Sequence, residues 1–235
     1  MPLKNLLSTE KTDFTSLPVQ AVLPALIAGF SCIITPLPQL VISSRSTVAM
    51  LLTACIGPVC GVLLMGWFLL KTGEKNILTF ARLKFLDLKY CIGGTFLIIF
   101  FAGLASAVWK SFLSACHIPF AENQYLMTLA QNANGLEFVL LAFLVIVPVP
   151  IAEELLFRRI LFAALLPQGP IIAWLGTAAV FAAAHLFLAG LPGLFIIGLG
   201  FQYLYIRRQN LTVSIVSHGL LNACAVLAVL ASRGV

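Results

Sequence analysis

Residues 136–166 read LEFVLLAFLVIVPVPIAEELLFRRILFAALL, an apolar run broken by Pro148 and Pro150 and then by Glu153, Glu154, Arg158 and Arg159. As one helix at 1.5 Å per residue the run would be ~46 Å long, against ~30 Å for a hydrocarbon core. It must therefore tilt, bend or emerge on one side, and the two prolines mark the bend. A transmembrane β-strand would instead alternate apolar and polar over about ten residues. The run reads as membrane helix, and the predicted fold class is all-α, a polytopic transmembrane helical bundle.

The rest of the chain agrees. Hydrophobic residues make up 61% of the 235 positions and charged residues 9%, against roughly 25% charged in soluble domains. Mean hydropathy is +1.06. Spans are expected near 18–42, 48–70, 90–114, 136–166, 171–190, 192–206 and 211–231, seven in all. The sixth is short and glycine-rich, so an eighth half-span or a re-entrant piece is the alternative count. One membrane domain accounts for residues 1–235. The first apolar run follows a polar stretch, Lys4 to Thr15, and reaches full spanning length, so no cleavable signal peptide is expected.

The cations supply an orientation. With the amino-terminal side carrying Lys4, Lys11, Lys71, Lys75, Arg82, Lys84, Lys89, Arg207 and Arg208, and the other side Arg45, Lys110 and Arg233, the count is nine against three. The positive-inside rule then places the amino terminus in the cytoplasm and, with seven spans, the carboxyl terminus outside. Arg159 is expected to snorkel to the cytoplasmic interface. Residues 71–89 read as a solvated amphipathic loop able to touch anionic lipid. The net charge of +6 is thus topological, and it lacks the aromatic-interleaved basic domain of a nucleic-acid binder. Cys32, Cys55, Cys60, Cys91, Cys116 and Cys224 show no metal-type CxxC spacing and read as small buried hydrophobes.

Intramembrane ionisable groups are costly, about 2.5 to 3.5 kcal/mol each even on insertion scales, so Glu153, Glu154 and Arg158 ask for a function. Successive helical residues point ~100° apart, which gives the two glutamates different surroundings. Glu154 and Arg158, at i and i+4, can pair on one face. Glu153 has Phe157 at i+4, which leaves its carboxylate free to look into a cavity as a general base. Taken as structure alone, the same groups would form an interhelical polar clamp.

Two histidines share this context. His185 closes Phe181-Ala-Ala-Ala-His185, where the alanines let a neighbouring helix approach. His218 and Asn222, at i and i+4, place two hydrogen-bond donors on one face, suited to a developing oxyanion. A glutamate with a histidine suits water activation. By the helical rise, Glu153, His185 and His218 all fall between the cytoplasmic interface and the midplane. His117 sits beside Pro119 in a loop and reads as solvated.

EExxxR (Glu153, Glu154, Arg158), FxxxH (Phe181, His185) and HxxxN (His218, Asn222), in that order on consecutive expected helices, resemble the CPBP family of intramembrane proteases. That family includes type II CAAX-prenyl endopeptidases and bacteriocin-processing or immunity proteins. The resemblance covers about residues 136–231, the motif-bearing core. It implies an endopeptidase whose polar cavity opens to the cytosol, with a peptide or protein substrate entering from membrane or cytosol. It further implies that Glu153 with His185 activates water, His218 with Asn222 holds the oxyanion, and Glu154 with Arg158 supports the site. No HExxH pair is present, and a zinc site would have to gather His185, His218 and a carboxylate such as Glu153 from separate helices. A metal-free glutamate mechanism is the expectation and zinc the alternative. The competing functions are a catalytically silent immunity or binding protein that keeps the cavity, and a proton-coupled transporter. Intramembrane Glu and His suit the latter, but no inverted repeat accompanies them. Oligomeric state and cleavage specificity are not encoded in these patterns.

Overall fold

The computed structural model describes Leu63, Trp67, residues 80–120, Ala133 and residues 135–232. The expected spans 18–42 and 48–70, apart from those two single positions, lie outside the described residues, as do Lys4, Lys11, Arg45, Lys71, Lys75 and Arg233 of the orientation count. Every element among the described residues is helical.

Helix α1 runs Phe85–Ala115, starting five residues before the expected span because Asp87 Oδ2 accepts the backbone N–H of Lys84 at 2.8 Å and caps the first turn. The apolar run 136–166 is divided as its prolines require. Helix α2, Gly135–Ile146, stops at Val147, whose φ of −113° and ψ of −72° depart from helix, and α3, Pro148–Glu154, begins on the proline. Neither Pro148 nor Pro150 can donate to the carbonyl four residues earlier, which frees those of Leu144 and Ile146. A π-helical turn, Leu155–Leu161, follows, then α4, Phe162–Leu165, and a 3₁₀ turn, Leu166–Gln168.

Helix α5, Pro170–Ala184, spans 15 residues, about 22 Å. It ends one residue before His185, short of the expected 171–190. A 3₁₀ turn, Leu188–Gly190, leads into α6, Leu191–Arg208, and α7 runs Leu211–Ser232. Among the described residues four helical stretches are long and apolar enough to cross a membrane: Phe85–Ala115, Gly135–Gln168, Leu188–Arg208 and Leu211–Ser232.

Helix α6 is the centre of the bundle, packed on α1, α5 and α7. A Cβ on Gly198 would lie 3.0 Å from Cα of Ala178, so α5 and α6 touch backbone to backbone, the small-residue contact that membrane helices use. Cys91, Ile98, Phe201, Leu204 and Val213 join α1, α6 and α7 in one buried cluster. Leu156, Phe157, Leu161 and Phe181 join the π-helical turn to α5 in another. Phe96, Leu97, Phe100 and Val108 of α1 are exposed, as on a helix that meets lipid or a further helix. Cys91 is buried whereas Cys116 and Cys224 are exposed, and all three are free thiols. The exposure of Cys116 and Cys224 departs from the expected burial, because one follows the end of α1 and the other lies on the outer face of α7.

Polar contacts tie the two ends. Arg208 Nε lies 2.7 Å from Asp87 Oδ1 with its guanidinium 4.8 Å from the Tyr90 ring centre. Asn210 and Thr212 donate to the carbonyls of Arg82 and Ala81 at 3.3 and 2.8 Å. At the opposite end of α1, Trp109 Nε1 donates to O of Leu188 at 2.9 Å and holds the loop that follows His185. An open apolar groove of about 900 Å³ lies between α1, α5 and α6, and none of the candidate site residues lines it.

Candidate functional site

The site grows from the junction of α3, the π-helical turn and α7. Glu154 ends α3 and Arg158 sits one turn on, and both side chains are wholly buried. Arg158 Nε donates to Glu154 Oε2 at 2.9 Å and Nη2 to Oε1 at 3.4 Å. The pairing expected from i, i+4 spacing is present, in the two-pronged form that suits guanidinium and carboxylate. Its guanidinium carbon stands 5.1 Å from the centre of the Phe181 ring and 5.9 Å from those of Phe157 and Phe201. Three aromatic faces thus offset part of the lost hydration of the cation.

Helix α7 supplies two more donors to the same carboxylate. Ser214 Oγ donates to Glu154 Oε2, and His218 Nδ1 lies 3.0 Å from Oε1. What lets α7 come so near is Gly219, where a Cβ would stand 2.8 Å from O of Ile146 at the α2 break. The His218 ring is stacked on Phe201, 4.8 Å between centres. One turn on, Asn222 Nδ2 donates to O of Val145 at 2.8 Å. Asn222 therefore ties α7 to the end of α2 beside the proline break, while His218 faces the glutamates.

Glu153 points elsewhere, as the 100° rotation requires. Its side chain keeps 24% of its surface and its Oε2 lies 3.8 Å from His218 Nε2. That oxygen is itself buried and has no hydrogen-bond partner. The imidazole of His218 is thus placed between two carboxylates, Glu154 on the Nδ1 side and Glu153 on the Nε2 side.

His185 is placed differently. It follows the last residue of α5, is exposed, and its Nδ1 lies 2.8 Å from O of Phe181, one turn back. Among the described residues no hydrogen bond or ion pair joins it to Glu153. Its connection to the site is through Phe181, whose ring centre lies 4.7 Å from that of His185 and 6.2 Å from that of His218. Arg159, expected at the interface, is half-buried with its guanidinium carbon 5.9 Å from the Tyr205 ring centre. His117 is exposed in a left-handed turn with φ of 55°.

Among the described residues no group of three His, Cys, Asp or Glu side chains is placed to hold a metal ion. Of the zinc candidates, Glu153 and His218 converge and His185 does not join them. Of these three candidates the structure thus brings together two, where a zinc site needs at least three protein ligands. Sequence reading passed over Ser214, although it precedes His218 by four residues and shares its face. It also passed over Phe201, which backs the His218 ring from a helix that carries none of the motifs.

Residues 135–224 match a family model, type II CAAX prenyl endopeptidase Rce1-like. No curated protein and no solved structure matches the chain. The matched segment opens in α2, closes in α7, and contains Glu153, Glu154, Arg158, His185, His218 and Asn222. Ordered motifs, membrane-length apolar helices and this match agree: residues 135–224 carry a domain similar to the Rce1-like type II CAAX prenyl endopeptidases, the family that the motifs resemble.

Proposed function

We propose that this protein is an intramembrane endopeptidase in which Glu153 is the base that activates water. The observation that carries this is the contrast between two adjacent glutamates. Glu154 is buried and surrounded by donors, whereas Glu153 keeps partial exposure, an unbonded oxygen and a histidine 3.8 Å away. A base must be open to its water and near a proton partner.

In the proposed reaction Glu153 takes a proton from water as the oxygen attacks the scissile carbonyl carbon, and the proton then passes to the leaving amine. His218 and Asn222 donate to the oxyanion, and His185 assists the water from the end of α5. Catalytic hydrogen bonds often tighten only with substrate bound, which the position of His185 requires here. The cavity opens to the cytosol, on the side of the amino terminus. The substrate is a peptide or protein reached from membrane or cytosol. No step is assigned to a metal.

The test is cleavage in proteoliposomes of peptides with and without a carboxyl-terminal prenylcysteine, using wild type and Glu153→Gln. Loss of turnover by at least a hundredfold with an unchanged melting temperature is expected, and near wild-type turnover in Glu153→Gln refutes the role. A biological phenotype that survives Glu153→Gln combined with His185→Ala would instead favour a silent binding or immunity protein. Exhaustive chelation is expected to leave activity intact, and loss restored by added zinc would overturn the metal-free assignment.

A further inference from the structure

We infer that Glu154 and Ser214 are positioning residues that lock the His218 imidazole with its proton on Nδ1, so that proton exchange at this ring is confined to Nε2, the nitrogen facing Glu153. The inference rests on the reading of His218 as a site residue and adds the device that orients it.

A carboxylate accepts hydrogen bonds at about four lone-pair positions and donates none. At Glu154 all four are taken. Oε2 receives Arg158 Nε and the Ser214 hydroxyl, and Oε1 receives Arg158 Nη2 and His218 Nδ1. Arginine can only donate, and the single hydrogen of the Ser214 hydroxyl goes to Glu154 Oε2 in preference to O of Phe201, the neutral acceptor at 3.2 Å. Nδ1 must therefore carry the hydrogen in its contact with Glu154. An imidazole with Nδ1–H fixed gains or loses its other proton at Nε2 alone, and Nε2 is the atom 3.8 Å from Glu153 Oε2. His218 can serve an oxyanion only while Nε2 holds a proton, and that proton has to be exchanged on the Glu153 side. Stacking on Phe201 at 4.8 Å keeps the ring from turning over.

The measurement is ¹⁵N NMR of the full-length protein labelled on histidine. The chain holds three histidines, and spectra of His117→Ala and His185→Ala identify the His218 resonances. In wild type a protonated Nδ1 is expected, with any exchange seen at Nε2. In Glu154→Gln the amide N–H₂ faces Nδ1 and should reverse the tautomer to Nε2–H. An unprotonated Nδ1 in wild type overturns the inference, and so does a folded Glu154→Gln protein with an unchanged tautomer. Because Glu154→Gln removes the charge partner of Arg158 and can fail to fold, the wild-type spectrum decides on its own, and Ser214→Ala gives a second arm. Ser214→Ala is expected to lower kcat about tenfold at unchanged KM, one lost charge-assisted hydrogen bond, with recovery in Ser214→Thr. Unchanged kcat would overturn the role of Ser214. Wild-type protein that shows Nδ1–H yet cleaves no peptide would refute the protease reading and leave this one standing.

Discussion

Replacing Arg158 by methionine should be among the most damaging single changes in the bundle, and removing Glu154 as well should undo most of the damage. Both side chains are fully buried, and Arg158 gives Glu154 two of its four hydrogen bonds. Hydrogen bonds to a charged group are worth about 1.5 to 3 kcal/mol each, so two amount to roughly 3 to 6 kcal/mol. Stranding one member of a buried pair costs about 3 to 5 kcal/mol by direct comparison, in the same range. The three rings around the guanidinium raise the loss a little through cation–π attraction. At about 2 to 4 °C per kcal/mol for a chain of this size, Arg158→Met should melt roughly 6 to 20 °C below wild type. The double variant Glu154→Met, Arg158→Met replaces the pair by apolar volume and should return to near the wild-type melting temperature, since buried pairs are often neutral against hydrophobic replacements. The assay is thermal unfolding of the three variants in one detergent, followed by tryptophan fluorescence. A double variant as unstable as the single, or a single variant within about 1 kcal/mol of wild type, would refute the view that these charges are mutually dependent.

The neighbouring glutamate should behave oppositely: Glu153→Ala removes a buried oxygen that has no partner, so its melting temperature is expected to equal or exceed wild type even though cleavage is lost. Gly198→Ala would place a methyl group 3.0 Å from the Ala178 backbone, and overpacking of this kind should cost about 1 to 3 kcal/mol, read as a lower melting temperature. Trp109→Phe keeps an aromatic ring, though a smaller one, and loses the hydrogen bond to O of Leu188. It should loosen the loop after His185 by about 0.5 to 1.5 kcal/mol, seen as faster amide exchange at residues 186–190 with the rest of the bundle unchanged.

The membrane class, the break at the two prolines and the pairing of Glu154 with Arg158 were legible in the chain because each rests on local geometry. Apolar length, a missing amide hydrogen and an i, i+4 spacing act within one segment. The helix ends were less legible, since Asp87 extends α1 backward through a capping contact, and α5 stops before His185 although the apolar pattern continues. Ser214 could have been found by the spacing that linked His218 to Asn222, but a serine in an apolar helix gives no signal of what it faces.

By itself the sequence determined which groups are too costly to bury idly, and that the two glutamates must look in different directions. Only the tertiary structure decided what each one meets. The close approach at Gly219 brings α7 against the α2 break, so Glu154 gathers Arg158, Ser214 and His218 while Glu153 is left with a single histidine nitrogen across 3.8 Å. The sequence pattern grouped His218 with Asn222 by helical face, whereas packing gave His218 to the glutamates and Asn222 to the carbonyl of Val145. The reason is physical: spacing along a helix fixes direction, but the partner in that direction is set by how close a second backbone can come.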